Sequence, residues 1–232
     1  MTPPANGGTA APAQPPAPPS RPASYWAPLS VPVFRTLWLA QFVSNIGSWM
    51  QTVGAQWLIT EQRGSPGLIA LVQTAASLPV LLLGIPAGAL ADIVDRRKLL
   101  FTAQLVMLTA AALRAALTAL GQMNSYGVLV LTFFLGCGTA LMNPAWQAIQ
   151  PELVARRDLI PAAAALGGVN MNMARAIGPA LGGLVVALAG TAAVFAVNAA
   201  SFLVTLAALA TWHRSARADT MAAERMIPAG SR

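Results

Sequence analysis

Long uncharged stretches separated by brief polar breaks set the rhythm of this chain. Residues 36–60, 64–91, 99–113, 115–151, 159–174 and 176–213 contain no Asp, Glu, Lys or Arg. About 20 apolar residues cross a bilayer core as a helix, so the 37-residue stretch 115–151 and the 38-residue stretch 176–213 each overrun a single crossing. Turn-forming residues fall within both, at Gly121, Gln122, Asn124 and Ser125 and at Gly190-Thr191. Turns there predict six helices, over 33–60, 66–91, 98–120, 126–149, 161–189 and 192–212. Strands would leave unpaired edges in hydrocarbon, and the repeated short alternation of a barrel is missing.

Composition agrees with that pattern. Hydrophobic residues make up 56% of the 232 and charged residues 9%, with mean hydropathy +0.61. A soluble domain carries about 25% charged residues, so these charges are too few to cover a water-facing globule, and lipid must be the main solvent. The net charge of +7 does not indicate a nucleic-acid partner, because the basic residues lie in short clusters between apolar runs and form no phosphate-tracking surface. With the amino terminus inside, the cytoplasmic segments hold Arg21, Arg35, Arg96, Arg97, Lys98, Arg156, Arg157, Arg214, Arg217, Arg225 and Arg232, while the external loops hold Arg63. This bias predicts a multi-pass plasma-membrane protein with both termini cytoplasmic. Trp38, Trp57 and Trp212 suit the membrane interfaces, whereas Trp49 and Trp146 need a packing or cavity explanation. Residues 1–28 hold nine of the 18 prolines and predict a disordered cytoplasmic tail. The membrane region is expected over 29–212, and a cytoplasmic linker begins at 213–232.

Polar side chains inside the apolar runs are the candidate chemistry. Gln41, Asn45, Ser48, Thr52 and Gln56 recur every three or four residues and share one face of the first helix, with Gln51 at its edge. That face either lines a substrate cavity or joins helices by hydrogen bonds. Arg114 is expected to snorkel toward the outer interface. Arg175, near Asn172, is expected either in the substrate cavity or as a hydrogen-bond hub. The segment from Gly88 through Asp92 and Asp95 to Arg96, Arg97 and Lys98 is expected to act as a conformational switch loop, its small residues allowing close helix approach. Gly178, Pro179, Gly182 and Gly183 are expected to pack or bend the fifth helix. One cysteine, Cys137, and one histidine, His213, offer no metal centre. No convincing nucleophile–base set points to an enzyme, and no motif calls for a cofactor.

Taken together, these blocks resemble the amino-terminal half of a major facilitator superfamily transporter, and within it the enterobactin-exporter-like and macrolide-efflux-like branch. Gly88, Asp92, Arg96 and Arg97 match the signature loop between the second and third helices, while Ile93 stands where an Arg is common. The run Asn143-Pro144-Ala145-Trp146-Gln147, then Pro151 to Val154, then Asn172 to Gly183 resembles the branch's fourth and fifth helices, and Gly47 to Thr52 resembles its first. The resemblance implies an all-helical six-span half with a 3+3 inverted repeat. Such a half rocks against a second one around a central path. It further implies export of a hydrophobic or amphipathic, drug- or siderophore-like molecule, with this chain a truncated or partial product whose carboxy-terminal six-helix half is missing. The alternative is a membrane assembly or regulatory half-protein that pairs with another six-helix partner.

Overall fold

The computed structural model describes residues 24–154 and 156–211, with Asp92 and Arg157 through their backbone alone. The expected tail up to residue 23 and the expected linker 213–232 lie outside the described residues. Residues 24–28, assigned above to the tail, lead into a 3-10 turn over Ala27–Ser30 with Pro28 buried. Ala27 and Leu29 pack on the helical core there, so residues 27–29 belong to the packed chain despite the proline among them.

Five helical runs follow: α1 (Pro32–Glu61), α2 (Pro66–Ile93), α3 (Arg96–Ala119), α4 (Ser125–Val154) and α5 (Ile160–Thr211). Local chemistry sets their ends. Pro32 opens α1 at a position where a missing N–H costs nothing. The helix closes where Arg63 turns left-handed at φ 56 and the Gly64 N–H bonds to Ile59 O. Ser65 accepts from Leu68 N to cap α2, Asp95 accepts from Arg97 N and Lys98 N to cap α3, and Asn124 accepts from Gly127 N ahead of α4. Helix α4 runs past the expected end at 149, through Pro151, because Ile149, Leu153 and Val154 are buried in the core.

The expected turn at Gly190-Thr191 is reduced to one residue. Gly190 alone is non-helical, at φ 79 and ψ 176, so α5 is a continuous run of 52 residues broken into arms 160–189 and 191–211. At about 1.5 Å per residue the whole would reach about 78 Å, over twice a bilayer core. The contacts with α1 show how the arms lie. From the first arm, Leu166, Asn170 and Gly178 meet Trp38, Asn45 and Trp49 in turn. From the second, Thr205, Asn198 and Val194 meet Ala40, Gln51 and Gly54. One arm therefore ascends beside α1 while the other descends, and Gly190 is the tip of a hairpin.

The helix starts and ends gather at two faces. One, here the terminal end, holds the start of α1, the α2–α3 and α4–α5 connections and the end of α5. The other, the turn end, holds residues 62–65, 120–124 and Gly190. At the turn end Gln62 Nε2 donates to Met123 O at 2.7 Å and Ser125 Oγ donates to Gln62 Oε1 at 2.9 Å, joining two turns. Apolar cores sit at both ends, one around Phe34, Leu100, Ile149 and Leu209 and the other around Ile59, Ala111, Val128 and Phe202. Four helices among the described residues are long and apolar enough to cross a membrane: Pro66–Ala91, Arg96–Ala119, Ser125–Val154 and Ile160–Thr211. Helix α1 is long enough too, but its polar face lowers its hydropathy. The exposed Leu81, Leu82 and Ile85 of α2 form the surface that lipid would cover.

Candidate functional site

Between the two apolar cores lies a polar layer. A cavity of about 200 Å³ is walled by α1, α2, α3 and α4, with Gln41, Asn45, Ser48, Gln51 and Thr52 contributed by α1. A second cavity of about 410 Å³ adjoins it toward the terminal end, sharing Gln41, Asn45, Met142, Asn143 and Met171 and adding Trp146, Gln147 and Gln150. Five of the six α1 residues named from sequence are thus brought together on one wall. Gln56 lines neither cavity.

Cavity lining and interhelical bonding turn out to be the same face. Gln41 Nε2 donates to Asn45 Oδ1 at 3.1 Å, Asn45 Nδ2 donates to Asn170 Oδ1 at 2.9 Å, and Asn170 Nδ2 donates to Trp38 O at 3.0 Å. Asn198 Nδ2 donates to Gln51 Oε1 at 2.7 Å in the buried interior. These bonds fix α1 against both arms of α5 and leave Gln41 Oε1 without a partner. Ser48 and Thr52 donate back to Ser44 O and Ser48 O of their own helix. Trp49 and Trp146 each line a cavity. Trp38 turns inward: it is buried, borders the larger cavity, and its indole N–H donates to Leu166 O.

Arg114 sits differently from expectation, and Arg175 stands outside both cavities. Arg114 does not snorkel. It is 0% exposed, its Nη2 donates to Val128 O and Thr132 Oγ1, and its guanidinium lies 4.8 Å from the Phe195 ring centroid. Its Cα lies one turn short of the end of α3, and a helical side chain slants toward the amino-terminal end, which carries the guanidinium into the bundle. Nε and Nη1 have no hydrogen-bond partner, and Arg114 lines the smaller cavity together with Gln104, whose Oε1 and Nε2 are also unpartnered. Arg175 and Asn172 line neither cavity. Both are exposed, Arg175 lying over the Trp49 ring at 4.9 Å and Asn172 donating to Gly168 O. Arg175 thus reaches the cavity only through the tryptophan it covers.

The α2–α3 connection binds the terminal end together. Arg96 Nη1 pairs with Glu152 Oε1 at 2.5 Å, and Arg97 Nη2 donates to Leu209 O and Ala210 O at the end of α5. Arg96 thus finds its carboxylate on α4, and Asp95 serves as the α3 cap. The side chain of Asp92 lies outside the description. Gly88 does not support close helix approach here, since nothing lies within 4 Å of where its Cβ would be. It borders an open cleft with Asn143 and Gln147 of α4. Of the fifth-helix set, Gly178 and Gly182 bring α5 onto α1, because a Cβ on Gly182 would stand 2.9 Å from Met50 Cα and one on Gly178 would overlap Trp49. Gly183 faces open space, and the helix continues through Pro179 without a non-helical residue. Between α4 and α5, Arg156 hydrogen-bonds to Asp158 and holds that carboxyl below its ordinary range.

Gln104, Thr132, Thr139 and Gln150 line the two cavities without having stood out in the sequence, and Asn143 and Gln147 stood out there only through the family resemblance. The signal was available, since each is a polar residue in an uncharged run. On α1 such residues form a dense stripe, whereas those of α3 and α4 are more widely spaced.

Residues 23–231 match the family described as transmembrane secretion effector. The chain is 29% identical over 126 residues to macrolide efflux protein A of Streptococcus pyogenes, covering 54% of this chain and 31% of that protein. It is 29% identical over 178 residues to the uncharacterized MFS-type transporter YfiS of Bacillus subtilis, covering 74% and 41%. With the multidrug efflux pump Tap of Mycobacterium tuberculosis it shares 29% identity over 191 residues, covering 77% and 43%. The matched stretches span less than half the length of these relatives.

Proposed function

Because the chain belongs to the transmembrane secretion effector family and to the macrolide-efflux-like branch of the major facilitator superfamily, we propose that it forms one half of an alternating-access exporter of hydrophobic or amphipathic small molecules. The observation that carries this reading is the pair of adjoining polar cavities inside an otherwise apolar bundle. Polar side chains in a membrane interior are costly unless they face one another or a pathway, and here they bond to one another and line the cavities. The names of the relatives as macrolide and multidrug efflux proteins support the substrate class. In this reading the two arms of α5 are separate crossings, giving six spans that form two inverted triplets, and the terminal end faces the cytoplasm. The exposed face of α5 around Asn172 and Arg175 meets a second six-helix unit, and the central path runs between the units.

Proteoliposome export of a lipophilic fluorescent compound tests the proposal. Flux is expected from the chain combined with a second six-helix unit and not from the chain alone. Gln41→Leu and Asn45→Leu should reduce flux while leaving protein levels unchanged. Robust export by the chain alone would sink the half-transporter reading, and unchanged flux in both variants would sink the cavity assignment.

A further inference from the structure

The geometry points to a receptor for a carboxylate at the turn-end tip of the smaller cavity, built on Arg114. This deepens the export reading by naming a chemical feature of the exported molecule, and it rests on that reading for the step from binding to transport.

A guanidinium carries its charge at any pH a cell experiences. Buried without compensation, such a charge is strongly disfavoured. Arg114 is fully buried, and its described partners are one backbone carbonyl, one hydroxyl and the face of Phe195. All three are neutral. Nε and Nη1 remain unspent, and each can donate a charge-assisted hydrogen bond to an anionic oxygen. The two described ion pairs, Arg96–Glu152 and Arg156–Asp158, involve neither this residue nor this cavity.

The rest of the cavity fits an elongated amphiphile. Val72, Met107 and Leu135 supply apolar wall, and Gln104 supplies a second buried group with both amide atoms unspent. Ten residues of α3 separate Gln104 from Arg114, about 15 Å along the axis. A single small anion cannot reach both. A molecule with a carboxylate on Arg114, an apolar body and a hydrogen-bonding group near Gln104 can. The cavity continues from Gln41 and Asn143 into the larger one, which supplies a way in from the terminal end.

Binding is tested with benzoate, its neutral isostere benzamide, and chloride, on the purified full chain in detergent by thermal shift and isothermal titration. Benzoate is expected to raise the melting temperature in a saturable manner while benzamide does not, and Arg114→Gln should weaken benzoate by about thirtyfold or more. Equal effects of benzoate and benzamide, or no saturable benzoate effect, overturn the proposal. So does an equal effect of chloride, which would identify a resident counter-ion. The ligand comparison needs no variant, so it decides the question even if Arg114→Gln does not fold. Export of neutral compounds without benzoate binding would reject this inference alone, whereas benzoate binding with no export of any compound by the chain combined with a second six-helix unit would reject the transport reading alone.

Discussion

Gly190 and Gly183 lie seven residues apart in the same helical run, both with open space where a Cβ would stand. The same Gly→Ala change should have opposite effects at the two sites. At Gly190 the backbone sits at φ 79 and ψ 176, a region that L-residues occupy at a cost of about 1–3 kcal/mol. No neighbour contributes to that cost, so it comes from the residue's own backbone. At Gly183 the backbone is helical, and an added methyl reduces the freedom of the unfolded chain, which favours folding by roughly 0.5–1 kcal/mol. The two variants should therefore differ by at least about 1.5 kcal/mol, and at about 2 °C or more per kcal/mol their melting points should lie at least about 3 °C apart. Tryptophan fluorescence of the purified chain during heating in detergent measures this. Gly190→Ala melting at or above the parent protein would refute the hairpin-tip argument, because a continuous helix through residue 190 would welcome alanine.

The remaining predictions concern the contacts that hold the bundle. Gly182→Ala should destabilise by about 1–3 kcal/mol in the same assay, since its methyl meets the Met50 backbone at 2.9 Å and backbone cannot yield as a side chain can. Gln51→Leu should cost about 1 kcal/mol by stranding the Asn198 amide, and adding Asn198→Leu should recover part of the loss; a double variant worse than the sum of the singles contradicts that pairing. Glu152→Gln should cost no more than about 1 kcal/mol, and the difference from the parent should shrink in high salt, because the Arg96 pair is partly exposed. In a Cys137→Ser background in whole cells, Ser65→Cys and Asn124→Cys should react with an impermeant maleimide and Val94→Cys should not; the reverse pattern would invert the proposed orientation.

Much of the fold was legible because hydrophobic length and turn chemistry act locally. Ser65-Pro66, Asp95 and Gly121 mark helix boundaries through bonds to residues a few positions away, so their effects can be read from neighbouring letters. The stripe on α1 was legible for the same reason. Arg114 was misplaced because its position near the end of α3 suggested an exit to the interface. Its resting place is decided by Phe195 and Thr132, which come from other helices. For Arg175 the letters left two roles open, since a mid-helix position says nothing about which side of the helix faces the bundle. Helical period places a residue on a face, and packing decides what that face meets.

The polar face of α1 has a consequence for how the chain is made. Of the five helices α1 is made before the other four, yet it is absent from the four described runs apolar enough to cross on their own. Its hydrogen-bond partners Asn170, Asn198 and Thr205 belong to α5, more than 120 residues later. Synthesis therefore delivers the least apolar of the five helices well before its complement. In between, α1 needs shelter within the insertion machinery, and a nascent chain halted before residue 160 should leave this helix open to protease digestion.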